Sequence, residues 1–318
     1  MAWVFLLAGL ALLTLGGDLL VRGSVTLAVR LKVSTLVIGM TVVSFATSCP
    51  ELLVSLNAAF KGHTDITFGN VIGSNIANIG LVLGLTAAIF GLSASVNSRR
   101  FDWPAMFLSS ILFMLFVYFD GYLGFVEGLV FFVLLVAFNI FLISASRRDE
   151  SRRIHDLPEE DKEDIPDPPG RMALYLVVGA VALFYGSDWL IQGAVDIARA
   201  WNVSERVISV SMVSVGTSIP ELAASLIATF KKEQSLSIGN LIGSNIFNIL
   251  AVLGITAMIH PIHITDHRLL EVDIWWMLGI AFLLAPFLYV GKKRTIGNWQ
   301  GFILLATYGI YVYLLFTP

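Results

Sequence analysis

Two stretches decide how this chain is built: FATSCPELLVSL, Phe45 to Leu56, and VGTSIPELAASL, Val215 to Leu226. Both carry Thr-Ser-x-Pro-Glu-Leu inside an otherwise apolar run, and Pro220 follows Pro50 by 170 residues. A proline has no N–H, so the carbonyls of Ala46 and Gly216 lose the donor a continuous helix would supply. In hydrocarbon a freed carbonyl is costly unless something else satisfies it. A glutamate there is costlier, at least about 2.5 kcal/mol at a bilayer centre. A lone proline would mean a simple kink, and two glutamates could serve as neutral, hydrogen-bonded contacts. Their joint recurrence points instead to a site.

The repetition extends well beyond the motif. Shifted by 170 residues, GGDLLVRGSV (Gly16 to Val25) aligns with GSDWLIQGAV (Gly186 to Val195). FGNVIGSNIANIGLVLGLT (Phe68 to Thr86) aligns with IGNLIGSNIFNILAVLGIT (Ile238 to Thr256), with no gap needed from Gly16 to Thr86. A duplication at this period is an architectural signal. Its surroundings are those of a membrane protein, with 57% hydrophobic residues, 14% charged residues and a mean hydropathy of +0.82. At about 20 residues per crossing, ten spans are expected near 3–29, 34–60, 66–91, 103–119, 122–146, 172–197, 207–230, 236–259, 273–290 and 298–316. Trp3, Trp103, Trp275, Trp276 and Trp299 fall near their ends, where interfacial aromatics belong. The expected fold is therefore an all-α integral membrane protein. Residues 1–146 form one five-helix repeat and 172–318 the other, with the most similar segments at about 38–86 and 208–256. An odd number of spans makes the second repeat enter from the opposite side, so the two are inverted. Inverted repeats meeting at the midplane are a transporter architecture.

Most of the 20 Lys and Arg fall on one side of this topology, including Arg30, Lys32, Arg99, Arg100, Lys231, Lys232 and Lys292 to Arg294. The positive-inside rule makes that side cytoplasmic and puts both termini outside. Residues 147–171 are dense in charge and proline and read as a solvated cytoplasmic linker. The opening Met-Ala-Trp-Val-Phe lacks a positive leader, so it is expected to begin a retained helix. A net charge of −3 with no basic patch gives no sign of a nucleic-acid partner, and the single Cys49 excludes an intrachain disulfide framework.

The chemistry concentrates around the two motifs. Thr47 and Ser48 precede Glu51 by four and three residues, so a helix would carry all three on one face. Thr217 and Ser218 repeat this before Glu221. In the following helix of each half, Ser74 and Asn78, then Ser244 and Asn248, are spaced i, i+4. Hydroxyl, amide and carboxylate oxygens are hard ligands that suit Ca2+ and Na+ and offer nothing soft for zinc or copper. Mg2+ gives up its water reluctantly, which favours Ca2+ among the divalent ions. No Lys or Arg lies centrally in any expected span to neutralise the glutamates. Gly69 with Gly73, and Gly239 with Gly243, form GxxxG surfaces for close packing. Outside this set, Asp18 lies four residues before Arg22 while Asp188 faces Gln192, as gating groups or as polar contacts. His260, His263 and His267 share an outer loop, either as metal ligands or merely solvated. Cys49 is replaced by Ile219 in the second half, which marks it as packing.

These motifs resemble the two α-repeats of the sodium/calcium exchanger family of cation/Ca2+ antiporters, and the bacterial inner-membrane members above all. The resemblance covers nearly the whole chain. It implies ten helices in two inverted repeats and no cofactor, with Na+ and Ca2+ as the transported partners in the inner membrane and no obligate protein partner. By the same likeness the cation ligands would be Thr47, Ser48, Glu51, Ser74, Asn78, Thr217, Ser218, Glu221, Ser244 and Asn248. The first and sixth helices, with Asp18 and Asp188, would slide across this core. Some relatives hold an aspartate at one of the positions where Asn78 and Asn248 stand, and the large cytoplasmic regulatory insert of animal members is absent. The expectation is Na+/Ca2+ antiport rather than enzymatic activity. H+/Ca2+ exchange is the nearest alternative, and an intramembrane enzyme or a cation channel is more remote.

Overall fold

The computed structural model describes the backbone of residues 1–93, 98–155, 167–201, 216–290 and 295–316, with the side chains of 149–155 and 316 outside the described set. In chain order the helices are α1 (Ala2–Leu31), α2 (Thr35–Thr47), α3 (Cys49–Phe60), α4 (Thr64–Phe90), α5 (Ser98–Val117) and α6 (Phe125–His155). They continue with α7 (Pro169–Ala200), α8 (Ile219–Phe230), α9 (Gln234–Ile259), α10 (Leu269–Tyr289) and α11 (Asn298–Phe316). Helices α2 and α3 are two pieces of one expected span, bent by 42°. The first part of its counterpart, residues 202–215, lies outside the described residues.

The sequence accounts for the bend. Ser48 leaves the helical region at φ −87°, ψ 3°, and Pro50 occupies the first turn of α3. There its missing N–H costs nothing, because first-turn donors have no helical partner. Ser218 has nearly the same angles, φ −87° and ψ 1°, ahead of Pro220 in α8. Proline therefore opens a new helix after Ser48 rather than merely kinking one, and Pro220 holds the same first-turn position in α8. Each start puts a glutamate in a first helical turn, where the backbone dipole favours negative charge.

Helices α4 and α9 form the centre, with 72% and 83% of their apolar windows buried, against 33% for α1 and 28% for α7. Around them stand α2, α3, α8 and α10, with α5, α6 and α11 completing the shell. Helices α1 and α7 pack lengthwise and antiparallel on one flank. Their seam is made of glycines seven residues apart, Gly9, Gly16 and Gly23 against Gly179, Gly186 and Gly193. A Cβ at Gly16 would stand 2.9 Å from the Gly179 carbonyl oxygen, and one at Gly186 3.1 Å from that of Gly9. Seven residues is close to two turns, so each trio shares a face and the two backbones touch.

Two short ladders tie the halves together. β1 (Leu92–Ser93) pairs antiparallel with β4 (Thr295–Ile296), and β2 (Tyr122–Leu123) with β3 (Ile262–His263). Among the described residues every ladder takes one strand from each half, a feature absent from the sequence expectations. A second departure is α6, expected to stop at 146 but helical to His155. That run holds no glycine or proline before Pro158, so nothing local ends the helix sooner.

Candidate functional site

The repeated motifs converge where α2, α3, α8, α4 and α9 meet. Of the ten residues expected to act together, all are buried except Thr217, which is half-buried, and both glutamates are fully inaccessible. The hydroxyls of Thr47 and Ser244 lie 3.3 Å apart, and those of Ser74 and Thr217 lie 3.0 Å apart. These two contacts exchange under the 170-residue shift, so the site has an internal twofold relation. The Ser48 hydroxyl donates to Glu221 Oε1 at 3.5 Å, which brings Glu221 onto the helical break just before Glu51. The Glu51 carboxyl faces Ser74 and Thr217, and the Glu221 carboxyl faces Thr47, Ser48 and Ser244. Each acid thus looks across to hydroxyls that include those of the other half.

Many of these groups lack a partner. Among the described residues no hydrogen bond reaches Glu51 Oε1 or Oε2, Glu221 Oε2, Asn78 Oδ1, Asn248 Oδ1 or the Ser218 hydroxyl. A buried polar atom without a partner costs about 1–3 kcal/mol, more when charged. These six oxygens belong to residues of the paired motifs, and a desolvated cation would satisfy them; on the same α4 and α9, Asn78 Nδ2, Ser237 Oγ, Asn245 Oδ1 and Thr256 Oγ1 also lack a partner. No lysine or arginine forms an ion pair with either glutamate among the described residues. The donor set is all oxygen, as a hard cation requires.

A second layer, which sequence reasoning missed, holds this shell in place. Asn70 donates to the Glu51 backbone carbonyl at 3.1 Å and to the Ser55 hydroxyl at 3.0 Å. Asn240 donates to Ser225 at 3.1 Å, and its amide oxygen accepts from Thr47 at 3.2 Å. The Ser44 hydroxyl donates to the carbonyls of Gly39, 2.8 Å, and Asn240, 2.9 Å. Asn75 accepts from Asn248 at 3.1 Å. The signal was available, because Asn70 and Asn75 recur as Asn240 and Asn245 inside the aligned segments. Also unforeseen are the π-helical turns that open at Asn78 and Asn248, over Asn78–Leu83 and Asn248–Leu253. Such turns recur at functional sites because they re-aim side chains. Replacing Asn240 by Ala strips Thr47 and Ser225 of a buried partner and is expected to cost about 1–3 kcal/mol of stability. A thermal-unfolding comparison in detergent reads this, and a melting temperature equal to that of the parent would deny Asn240 its anchoring role.

The remaining candidates separate. Asp18 pairs with Arg22, Nε to Oδ2 at 2.8 Å, as the spacing suggested, and also with Lys231, which it did not suggest. Asp188 accepts from Gln192 at 2.7 Å. Among the described residues no group of three or more His, Cys, Asp or Glu side chains is arranged to hold a metal, so the histidine loop is not such a cluster. The His260 ring contacts Phe60, and the His263 ring contacts Tyr122. Cys49 donates to the Phe45 carbonyl.

Comparison with known proteins bears on the family and the fold. The family model described as sodium/calcium exchanger protein matches residues 1–144 and 172–317. The chain is 37% identical to CaxA, a protein of Alkalimonas amylolytica named as an antiporter, over 99% of both chains. It is 32% identical to the inner membrane protein YrbG of Escherichia coli, over 99% of this chain and 96% of the relative. A solved structure of the sodium-calcium exchanger NCX_Mj superposes with a TM-score of 0.82 at 30% identity, covering 98% of each chain. The fold is accordingly the ten-helix, inverted-repeat arrangement of that structure.

Proposed function

The chain belongs to the sodium/calcium exchanger family, and from that premise we propose that it exchanges Na+ for Ca2+ at one oxygen-lined site built on Glu51 and Glu221. As a member it is a multi-pass membrane cation/Ca2+ antiporter and not an enzyme. The observation that carries the finer reading is the set of partnerless buried oxygens on Glu51, Glu221, Asn78, Asn248 and Ser218. Those are atoms a bound cation would satisfy. Thr47, Ser48 and Ser74 with Thr217 and Ser244 complete the ligand set, and α2, α3 and α4 with α8 and α9 carry it at the membrane midplane.

Coupling follows from charge. Two carboxylates balance one Ca2+. With amides at Asn78 and Asn248 rather than acids, the site carries no third fixed negative charge. An empty site is left with two buried anions and no cationic side chain, a state several kcal/mol costlier than a neutralised one. It resists passage through the apolar interior, so the carrier changes sides only when loaded, and Ca2+ and Na+ must compete for the same oxygens. Hydroxyl-rich flanks supply neutral ligands to Na+, which keeps Na+ ahead of H+ as the coupling ion. By the distribution of Lys and Arg both termini lie outside and the 147–171 linker is cytoplasmic. Residues 1–146 and 172–318 are the two inverted repeats.

Liposomes holding the purified chain test this. An outward Na+ gradient is expected to raise radioactive Ca2+ uptake about tenfold or more over symmetric Na+, while a pH gradient alone leaves it near background. Uptake driven by the pH gradient and indifferent to Na+ would overturn the Na+ assignment in favour of H+/Ca2+ exchange.

A further inference from the structure

The duplication makes a prediction about charge that the structure satisfies on one side only. Under the 170-residue shift Asp18 corresponds to Asp188 and Lys231 to Lys61. Both lysines cap their helices alike. Lys61 ends α3 at φ −86°, ψ 0°, and Lys231 ends α8 at φ −78°, ψ 6°. Yet Lys231 pairs with Asp18, each about 70% buried. Lys61 and Asp188 are both exposed and make no ion pair with each other.

The packing around the two lysines differs in the same sense. Helix α1 lies along α8, with Gly17 against Ile227 and the Ala223 carbonyl. The corresponding stretch of α3 is uncovered, since Asn57, the counterpart of Ile227, is exposed, and Leu53, that of Ala223, is 56% exposed. Helix α7 meets the core nearer its middle, where the Ser187 hydroxyl donates to the Gly216 carbonyl at 3.1 Å. The α1–α7 pair is therefore displaced toward the Lys231 end of the core and away from the Lys61 end. Their backbones touch along the glycine seam, so they move as one body.

We propose that Lys231–Asp18 and Lys61–Asp188 are two latches of one switch, closed in alternation as the α1–α7 pair slides across the ion site. The inference rests on the alternating-access antiport reading and adds four positioning residues to it. In the state described here the Lys231 latch is shut. In the opposite state Asp18 leaves Lys231, and Asp188 comes beneath Lys61. A charge pair at each end gives the moving pair two defined stopping points. Its partly exposed setting keeps each latch weak enough to open every cycle. The two latches are unequal. Arg22 adds a second cation to Asp18, whereas Gln192 supplies only a neutral donor to Asp188. That difference favours the state seen here, and Arg22→Gln should shift the balance toward the other.

Two measurements on the full chain in liposomes decide the matter. Lys61→Glu sets two anions against each other and is expected to slow exchange about fivefold to tenfold. The swapped double variant Lys61→Glu/Asp188→Lys should recover to within about twofold of the parent. A merely structural role for Lys61 would not be rescued by reversing Asp188. The second measurement is cross-linking by a short bismaleimide in a Cys49→Ile background. Cysteines at 61 and 188 should link most under ionic conditions in which those at 18 and 231 link least. Failure of the swap to rescue, or 61 and 188 never linking while the parent exchanges normally, overturns the latch and leaves antiport standing. Absence of gradient-driven flux in the parent would instead defeat the antiport reading, independently of any cross-link.

Discussion

Glu51→Gln is expected to reduce Na+-driven Ca2+ flux by about 100-fold or more, and Glu221→Gln to match it within a few-fold. Glutamine keeps the size of the side chain and an acceptor oxygen but removes one of the two buried negative charges. A Ca2+ ion then faces a single carboxylate and carries uncompensated charge into the interior. Removing one partner of a buried charge pair costs about 3–5 kcal/mol, and each 1.4 kcal/mol is tenfold in affinity. Stability separates a transport role from a structural one. Without ions the parent holds two carboxylates at zero exposure with no cationic neighbour among the described residues. The substitution relieves part of that burden, so ion-free Glu51→Gln protein should melt no lower than the parent. Added Ca2+, which stabilises the parent by mass action, should no longer raise the melting temperature. Flux and Ca2+-dependent melting that both match the parent would remove Glu51 from the site. The near equality of the two glutamates is itself a test. It follows from the exchange-related contacts Thr47–Ser244 and Ser74–Thr217, and a site centred on one half would make the effects unequal.

How much of this was legible in the sequence depends on the range of the interaction. Proline and glutamate side by side mark a helix restart through local chemistry, and Ser48 and Ser218 adopt nearly the same angles because the same Thr-Ser-x-Pro-Glu pattern surrounds them. The Asp18–Arg22 pair is likewise local, four residues along one helix. The Lys231–Asp18 bond joins residues more than 200 positions apart, and no periodicity announces it. Nor does any pattern foretell the β1–β4 and β2–β3 ladders, whose strands are two residues each. Asn70 and Asn240 were visible as repeated letters, but a repeated asparagine could be a ligand, a cap or a clasp. Only the 3.1 Å approach to the Glu51 carbonyl makes Asn70 a clasp. The π-helical turns at Asn78 and Asn248 were hidden for another reason, since one extra residue in a turn leaves the apolar pattern nearly intact.

The glycines show the same division and carry the second large effect. Gly239→Leu is expected to leave little or no folded protein. The GxxxG pattern suggested that Gly239 and Gly243 face a neighbour, and the structure identifies it as α2. A Cβ at Gly239 would stand 3.1 Å from the Met40 amide nitrogen, and one at Gly243 2.6 Å from Met40 Cα. The approach is reciprocal, because a Cβ at Gly39 would lie 3.0 Å from the Asn240 nitrogen. These obstacles are backbone atoms, which cannot rotate aside, so the helices themselves must separate. Overpacking a well-fitted core costs about 1–3 kcal/mol when side chains can yield and more when they cannot. Separation would also pull Thr47 from Asn240 and Ser244, and Ser44 from the Asn240 carbonyl, orphaning further buried groups. The corresponding partners of Gly69 and Gly73, near 206 to 214, lie outside the described residues. Gly309→Leu on α11 is the control, since Gly309 is exposed and a Cβ there meets nothing within 4 Å. That change should be tolerated or mildly stabilising, because leucine favours the helix. Size-exclusion yield and thermal unfolding in detergent compare the two. Gly239→Leu protein that elutes and melts like the Gly309→Leu control would mean that α2 and α9 are not in backbone contact, and the site they jointly carry would lose its frame.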